Sequence, residues 1–398
     1  MKKIFTSLLL IALAAGLTGS YSTPVYSVAK LGISQKTSPF NYMPGEDIAK
    51  EFNVESGQTL HIDLETGGEI IIEGWDQNIV NVKAMISGRD ADDVEMEFDQ
   101  NSDGVEIFSD YRGRNRNRSC DIRLEIKVPK VFNLDLETSG GEIELDGIEG
   151  DIEGATMGGS LDLKNLKGKI DITTMGGSID VYNCEANGKV KTMGGSIYLE
   201  DIIGDIDAET MGGSITQKNV KGNAGSKGKA LDVSTMGGSI KIDDAPNGAY
   251  IKTMGGSIKV KSAGEFLEIE TMGGGIDVDA IDGKIKAETM GGDIYVTMIG
   301  DPAKGERDVS LSSMGGDVEL IVPDGLSMDI DIEITYTRRY EDDVDIISDF
   351  DIKIEKTDDW KYDHGDKRKK LYGTGQVGDG KNRIKIKTIN GVVSIKKG

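Results

Sequence analysis

Nine methionines recur at one place in a repeat: Met157, Met175, Met193, Met211, Met236, Met254, Met272, Met290 and Met314. They are the side chains whose type and spacing most invite a chemical reading. Thioethers are soft donors, so a row of them could hold Cu(I) or take up oxidant. A copper site draws on clustered Met, Cys or His, however, and the chain holds only two histidines, His61 and His364, both outside the repeat. Flexible and apolar, methionine reads instead as the filler of a corner beside a pair of glycines. Strict alternation turns these methionines outward and the preceding threonines, Thr156 through Thr289 with Ser313 closing the series, inward. There the hydroxyls are expected to bond to each other and to nearby backbone at a bend.

A second candidate is the run Arg112, Arg114, Arg116 and Arg118, alternating with Gly and Asn. In an extended chain all four guanidinium groups face one way, a geometry suited to the phosphate or carboxylate groups of an envelope polysaccharide. A solvated loop is the competing account of such a charge run. Gly373 to Gly378 matches the letters of a dinucleotide fingerprint, but Asp379-Gly380-Lys381-Asn382 leads from it into another strand rather than a helix, so the match has no nucleotide-binding context. The acidic pairs Asp342-Asp343 and Asp358-Asp359 lack the G-G-x-G-x-D spacing of calcium-binding β-rolls. No catalytic residue, metal ligand or cofactor follows from these patterns.

What positions these side chains is a tandem repeat. Ten Gly-Gly pairs begin at Gly140, Gly158, Gly176, Gly194, Gly212, Gly237, Gly255, Gly273, Gly291 and Gly315, and seven of the nine intervals are 18 residues. A fixed period of this length marks one supersecondary unit that closes a core only by stacking on its copies. Within a unit, Ile170, Ile172 and Thr174 alternate with Lys169, Asp171 and Thr173, and Ile179 and Val181 alternate with Asp180 and Tyr182. Period two means strand, so each unit holds two short strands and two turns. Eighteen residues are too few for a helical crossover. The expected fold is all-β: a parallel β-solenoid, a right-handed β-helix, with layers ~4.8 Å apart and a length on the order of 45–50 Å. The Gly-Gly corner is expected to need small residues, because the chain turns sharply there and positive φ is cheap only for glycine. The two longer intervals hold Asn223 to Gly228 and Gly300 to Gly305, which read as loops bulging from the stack.

The termini and composition set outer bounds. Met1-Lys2-Lys3 followed by an apolar run from Ile4 to Ala15 reads as a secretory signal peptide over residues 1–27, too short to span a bilayer. Its removal takes the formal charge from −23 to −25, because only Lys2 and Lys3 leave. Nucleic acid and anionic membrane surfaces are poor partners for such a chain. Residues 28–50 form a polar lead, 51–137 irregular β coils, 138–334 the regular solenoid, 335–383 an insertion or capping hairpin, and 384–398 a terminal coil. Cys184 falls at a core position and Cys120 several coils earlier, too far away for a disulfide.

An exported leader, a strand pair ending in Glu73-Gly74-Trp75-Asp76, repeated T-x-G-G-x-I corners, Val322-Pro323 and a closing Thr388-Ile389-Asn390-Gly391 together resemble the bacterial "putative adhesin" or toastrack family over roughly residues 50–398. The resemblance implies a β-solenoid of the cell envelope with adhesion or envelope-stress roles, and it carries over no catalytic residue. The uniform methionine at nine corners departs from the more variable family pattern. The functional expectation is an exported, non-enzymatic binding or structural scaffold, in the periplasm, on the cell surface or secreted. Its partner would be an envelope polysaccharide or a surface protein. The rival is a polysaccharide-active β-helix enzyme, whose singular acids and bases would have to interrupt the repeat.

Overall fold

The structure is a computed structural model that describes residues 47–113, 118–221, 229–363 and 365–398. The expected leader, most of the polar lead, the 223–228 loop, Arg114, Arg116 and His364 lie outside the described residues. Apart from two single turns of 3-10 helix, Ala91–Asp93 and Arg338–Tyr340, every regular element among the described residues is a strand.

The alternation read from the sequence becomes a ladder. In Lys167–Thr174, Ile170, Ile172 and Thr174 are buried while the residues between them face outward. This strand pairs in parallel with Glu149–Thr156 on one side and Glu185–Thr192 on the other, and each partner is displaced by 18 residues. Ile179–Tyr182 pairs in the same way with Leu161–Lys164 and Ile197–Ile203. Every unit therefore contributes one strand to each of two parallel ladders, joined by the Thr-Met-Gly-Gly-Ser corner. At the opposite corner the chain can remain extended, as in Ile258–Thr271 and Ile276–Thr289, which pair from Ile258↔Ile276 to Thr271↔Thr289. The result is a closed, barrel-like wall of repeated parallel strands.

Stacking like on like explains why the same side chains recur. Ile170, Ile172, Ile179 and Val181 are fully shielded, and one continuous apolar cluster runs from Ile48 to Ile395. Burying such a side chain contributes ~1.5–3 kcal/mol, and an in-register stack repeats the gain at every layer. The longer units leave the register intact: Ala208 pairs with Val233 and Ile285 with Val309, so the additional residues are spliced out of the ladder.

Both extremities break chain order. Thr59–Leu64 and Glu69–Trp75 lie between the Gly104–Tyr111/Asp121–Pro129 layer and the Asn133–Thr138/Ile143–Asp146 layer, both of which follow them in the chain. At the far end Asn382–Ile389 lies between Val309–Ser313 and Met328–Thr337, and Val393–Lys397 between Val318–Val322 and Ile346–Ser348. The segment expected as a terminal coil is thus an internal layer. Beyond it, Met328–Thr337 pairs antiparallel with Asp366–Val377, which also carries Lys353–Lys356 and Lys361–Asp363. Antiparallel strands cover the opposite end as well, with Val94–Gln100 on Gly104–Tyr111 and Ile79–Ser87 on Asp121–Pro129. Such covering occupies sheet edges that would otherwise recruit other chains.

Candidate functional site

At the glycine corner the threonine turns inward and the methionine outward. Thr174 Oγ1 donates to the Gly159 carbonyl of the preceding layer at 2.7 Å and accepts from the Gly177 N–H at 3.3 Å. The same pair of bonds recurs at Thr192, Thr210, Thr235, Thr253, Thr271 and Thr289. The hydroxyls bond to backbone, not to one another as the sequence also suggested. The second glycine of each pair is required by close approach: a Cβ on Gly177 would stand 2.1 Å from the Gly159 oxygen, whereas one on Gly176 would stand 3.3 Å from the Gly158 oxygen. Among the ladder glycines from Gly140 onward only Gly141 has positive φ, so the expected left-handed glycine is replaced by a lack of space.

The left-handed residues sit at the opposite corner. Asn165, Asn183, Asp201 and Asn219 have φ of 54°, 54°, 58° and 49°. Their side chains run up the stack: Asn165 Nδ2 donates to Asp146 Oδ1 and Asn183 Nδ2 to Asn165 Oδ1, both at 2.6 Å. Sequence reasoning missed this row, although Asn or Asp at 18-residue spacing, residue types that tolerate left-handed backbone, is a legible signal.

The nine ladder methionines are 39–57% exposed, aligned by the register of the strands before them. Three methionines elsewhere, Met96, Met298 and Met328, are buried, so the row is a surface feature. Of the arginine run, Arg118 does not join an outward row. Its side chain is 9% exposed, donates to the Arg112 carbonyl at 2.5 Å and lies over the Tyr111 ring. The Arg112 N–H donates to the Asp93 carbonyl. Gly373-Thr374-Gly375-Gln376-Val377 belongs to a strand paired antiparallel with Met328–Thr337, and no helix follows. Among the described residues, no group of three or more His, Cys, Asp or Glu is placed to hold a metal ion, and no helix is long and apolar enough to cross a membrane.

His61 Nδ1 lies 2.9 Å from Asp135 Oδ2. That hydrogen bond raises the imidazole pKa against the opposing effect of burial, and it lowers the carboxyl pKa. Cys120 and Cys184 are free thiols. Burial raises Cys120 and pushes Cys184 up to about 11. Tyr111, whose hydroxyl lies 2.9 Å from Cys120 Sγ, is pushed up to about 12 by burial and then by that contact. Protonated thiols are weak nucleophiles.

A cleft opens between the repeat wall and the 300–307 loop, an open cavity of about 760 Å³ lined by Phe266, Asp282, Lys284, Lys304 and Arg307. Arg307 is buried, and its Nη2 donates to Asp282 Oδ1 at 2.6 Å and to the Asp301 carbonyl at 3.0 Å. The guanidinium pins the loop to the wall and is already engaged by a carboxylate.

Fold and surfaces together define an all-β protein of stacked parallel strands whose distinguishing surface is a methionine row. No family model matches the chain, and no curated protein matches it. Three solved structures are similar in part. One, a "putative cell adhesion protein" from Clostridium sporogenes, is 10% identical over 89% of this chain and 99% of its own, with a TM-score of 0.20. A "putative adhesin" from Bacteroides fragilis is 13% identical over 70% and 97%, with a TM-score of 0.27. Another from Parabacteroides distasonis is 15% identical over 69% and 97%, with a TM-score of 0.29. Their names agree with the resemblance carried by the corner motifs. TM-scores this low mark paths that do not superpose, so the likeness carries no argument about mechanism.

Proposed function

We propose that the protein is an exported, non-enzymatic scaffold with adhesin-like binding, a right-handed β-solenoid that presents repeated surface columns in the cell envelope. The observation that carries the reading is the layer-by-layer recurrence of one outward corner: it repeats nine methionines, one per layer, each preceded by an inward threonine or, at Ser313, a serine. A surface of equally spaced equivalent groups suits many weak contacts acting together, and linked contacts exceed any one of them in avidity. Envelope polysaccharide and surface proteins, which are themselves repetitive or dense, are the partners such a surface fits.

The test removes one whole unit, residues 169–186, or two units, and measures binding to purified envelope polysaccharide and to intact cells. A graded fall in avidity with each unit lost supports the scaffold. Glycan turnover abolished by changing a single Asp or Glu would establish the enzyme reading instead. Fractionation of the cell envelope locates the protein, and recovery in the cytoplasm alone would overturn export.

A further inference from the structure

We propose that two copies of this chain pack antiparallel along the methionine row, around a two-fold axis at the layer of Ser234 and Met236, which covers that row in the pair and leaves the binding proposed above to the outward columns on the rest of the wall. The argument rests on charge order in the two outward columns that precede the methionines.

The first column, two residues before each methionine, is aligned by strand register from Glu137 through Ser234 at its centre to Lys387. A two-fold axis lying across the stack reverses the order of layers while keeping each column opposite itself. Glu137 then meets Lys387, Lys191 meets Glu270, and Glu209 meets Lys252. Every other position in the column is uncharged or faces an uncharged residue. The second column, two residues further back, runs from Asp135 to Lys385 by the same register. Reversed on itself, it sets Asp135 against Lys385, Asp171 against Lys286, and Lys189 against Glu268. Within these eleven layers all six distinct charged pairs are of opposite sign and the one like pair is Asp232 on the axis; one layer beyond, Asp63 next to Glu137 would face Glu333 next to Lys387, a like pair at the rim.

The register is specified as well. A slip of one layer in one direction opposes Glu209 to Glu270, Lys189 to Lys286 and Asp207 to Glu268. A slip the other way opposes Lys191 to Lys252, Asp171 to Glu268 and Asp207 to Asp232. A parallel pair, with the axis along the stack, instead faces each column with the far side of the corner at the same layer, where Glu288 meets Asp293 and Lys191 and Lys252 meet serines. Of these arrangements the antiparallel, centred one pairs the most opposite charges. This matters for a chain of formal charge −23, in which two copies repel unless their contact face is locally complementary.

Charge order sets the register, and the methionines supply apolar area. Flexible thioether side chains interdigitate readily, and none of the nine is closed off within its own chain. Eleven layers at ~4.8 Å and three side-chain columns about 13 Å across give roughly 650 Å² per copy, close to the ~800 Å² per partner of a stable interface. Within each copy the charges are already paired along the column, Lys191 with Glu209 at 2.9 Å and Lys252 with Glu270 at 2.7 Å. The dimer sets these two pairs head to tail as a four-charge network.

The experiment uses the full chain carrying Cys120→Ser, since Cys184 is buried. Sedimentation equilibrium at about 0.15 M salt, where charges within ~8 Å still interact, should report a dimer in the micromolar range. A spin label at Ser234→Cys should lie within about 20 Å of its mate. A label at Thr173→Cys, three layers away, should lie about 29 Å from its mate across six layers. Met236→Glu, which sets two carboxylates on the axis without touching the core, should weaken dimerisation at least tenfold with an unchanged circular dichroism spectrum. Lys189→Glu should weaken it and the added Glu268→Lys should restore it. A monomer at 100 µM (about a hundredfold above the expected range), short distances at both labels, or long distances at both would overturn the proposal.

Discussion

The buried hydroxyl of Thr174 offers the sharpest test of how the corner is held. Replacing it with valine keeps the branched shape and removes one donor and one acceptor. The Gly159 carbonyl loses its 2.7 Å donor and the Gly177 N–H its 3.3 Å acceptor, in a layer where the side chain is fully shielded. A buried polar group left unpaired costs ~1–3 kcal/mol, so Thr174→Val should lose about 2 kcal/mol. Thr174→Ser, which keeps the hydroxyl, should lose less than ~1 kcal/mol, the range of a small packing loss. Serine already serves this position at Ser313, whose Oγ donates to the Gly292 carbonyl at 2.8 Å. The assay is urea unfolding followed by circular dichroism and by tryptophan fluorescence, with coincident transitions required before a two-state fit is used. Thr271 stands five layers from Thr174, ~24 Å away, so the double variant Thr174→Val with Thr271→Val should add within about 0.5 kcal/mol. A neutral Thr174→Val, or a serine variant as damaged as the valine one, would refute the claim that the hydroxyl ladder holds the corner.

Glycine and asparagine should divide the two corners between them. Gly177→Ala should destabilise strongly, because its Cβ would meet the Gly159 backbone oxygen at 2.1 Å, while Gly176→Ala, whose Cβ would stand 3.3 Å from the Gly158 oxygen and needs a shift of only tenths of an ångström, should be milder; thermal unfolding of both variants compares them directly. Asn183→Gly, which loses the bond to Asn165 but carries no Cβ at its left-handed φ, should cost less than Asn183→Ala, which loses the same bond and adds ~1–2 kcal/mol of left-handed strain, read by the same unfolding assay. The His61–Asp135 pair gives a pH signature. The raised His61 pKa means a contribution fully present below 6.5 and lost as pH climbs through the folded value, whereas the lowered Asp135 pKa means one lost as pH falls through its folded value from 3.8. His61→Ala should flatten both flanks of the stability profile, and an NMR titration placing His61 at or below 6.5 would contradict the pairing.

How much of this was legible depended on whether local rules met the repeat. The parallel register, the inward threonine and the outward methionine follow from period-two alternation in an 18-residue unit, because a parallel stack must place like on like. The need for small residues at the glycine corner holds, but its reason is the backbone of a neighbouring layer, which a single sequence does not display; positive φ belongs there to Gly141 alone and otherwise to Asn165 and its counterparts. The inward turn of Arg118 depends on contacts with Asp93, in the Ala91–Asp93 turn, and with Tyr111, at the end of the strand Gly104–Tyr111, which residue spacing within the run does not encode. The exchange of layers at both extremities was equally hidden, since pairing partners there are chosen among nearly equivalent strands and local patterning fits either order.

That exchange has a mechanical and temporal consequence. Residues 382–397 leave the ribosome after residues 328–377, yet they belong beneath them, so the distal cap has no proper seat until the later segment arrives. An incomplete chain would stall with an open berth, and a finished one would be locked from both flanks. Force applied at residue 398 must shear a strand held by two neighbours, not peel a free margin; single-molecule pulling in which this segment detaches first and at low force would show the lock to be absent.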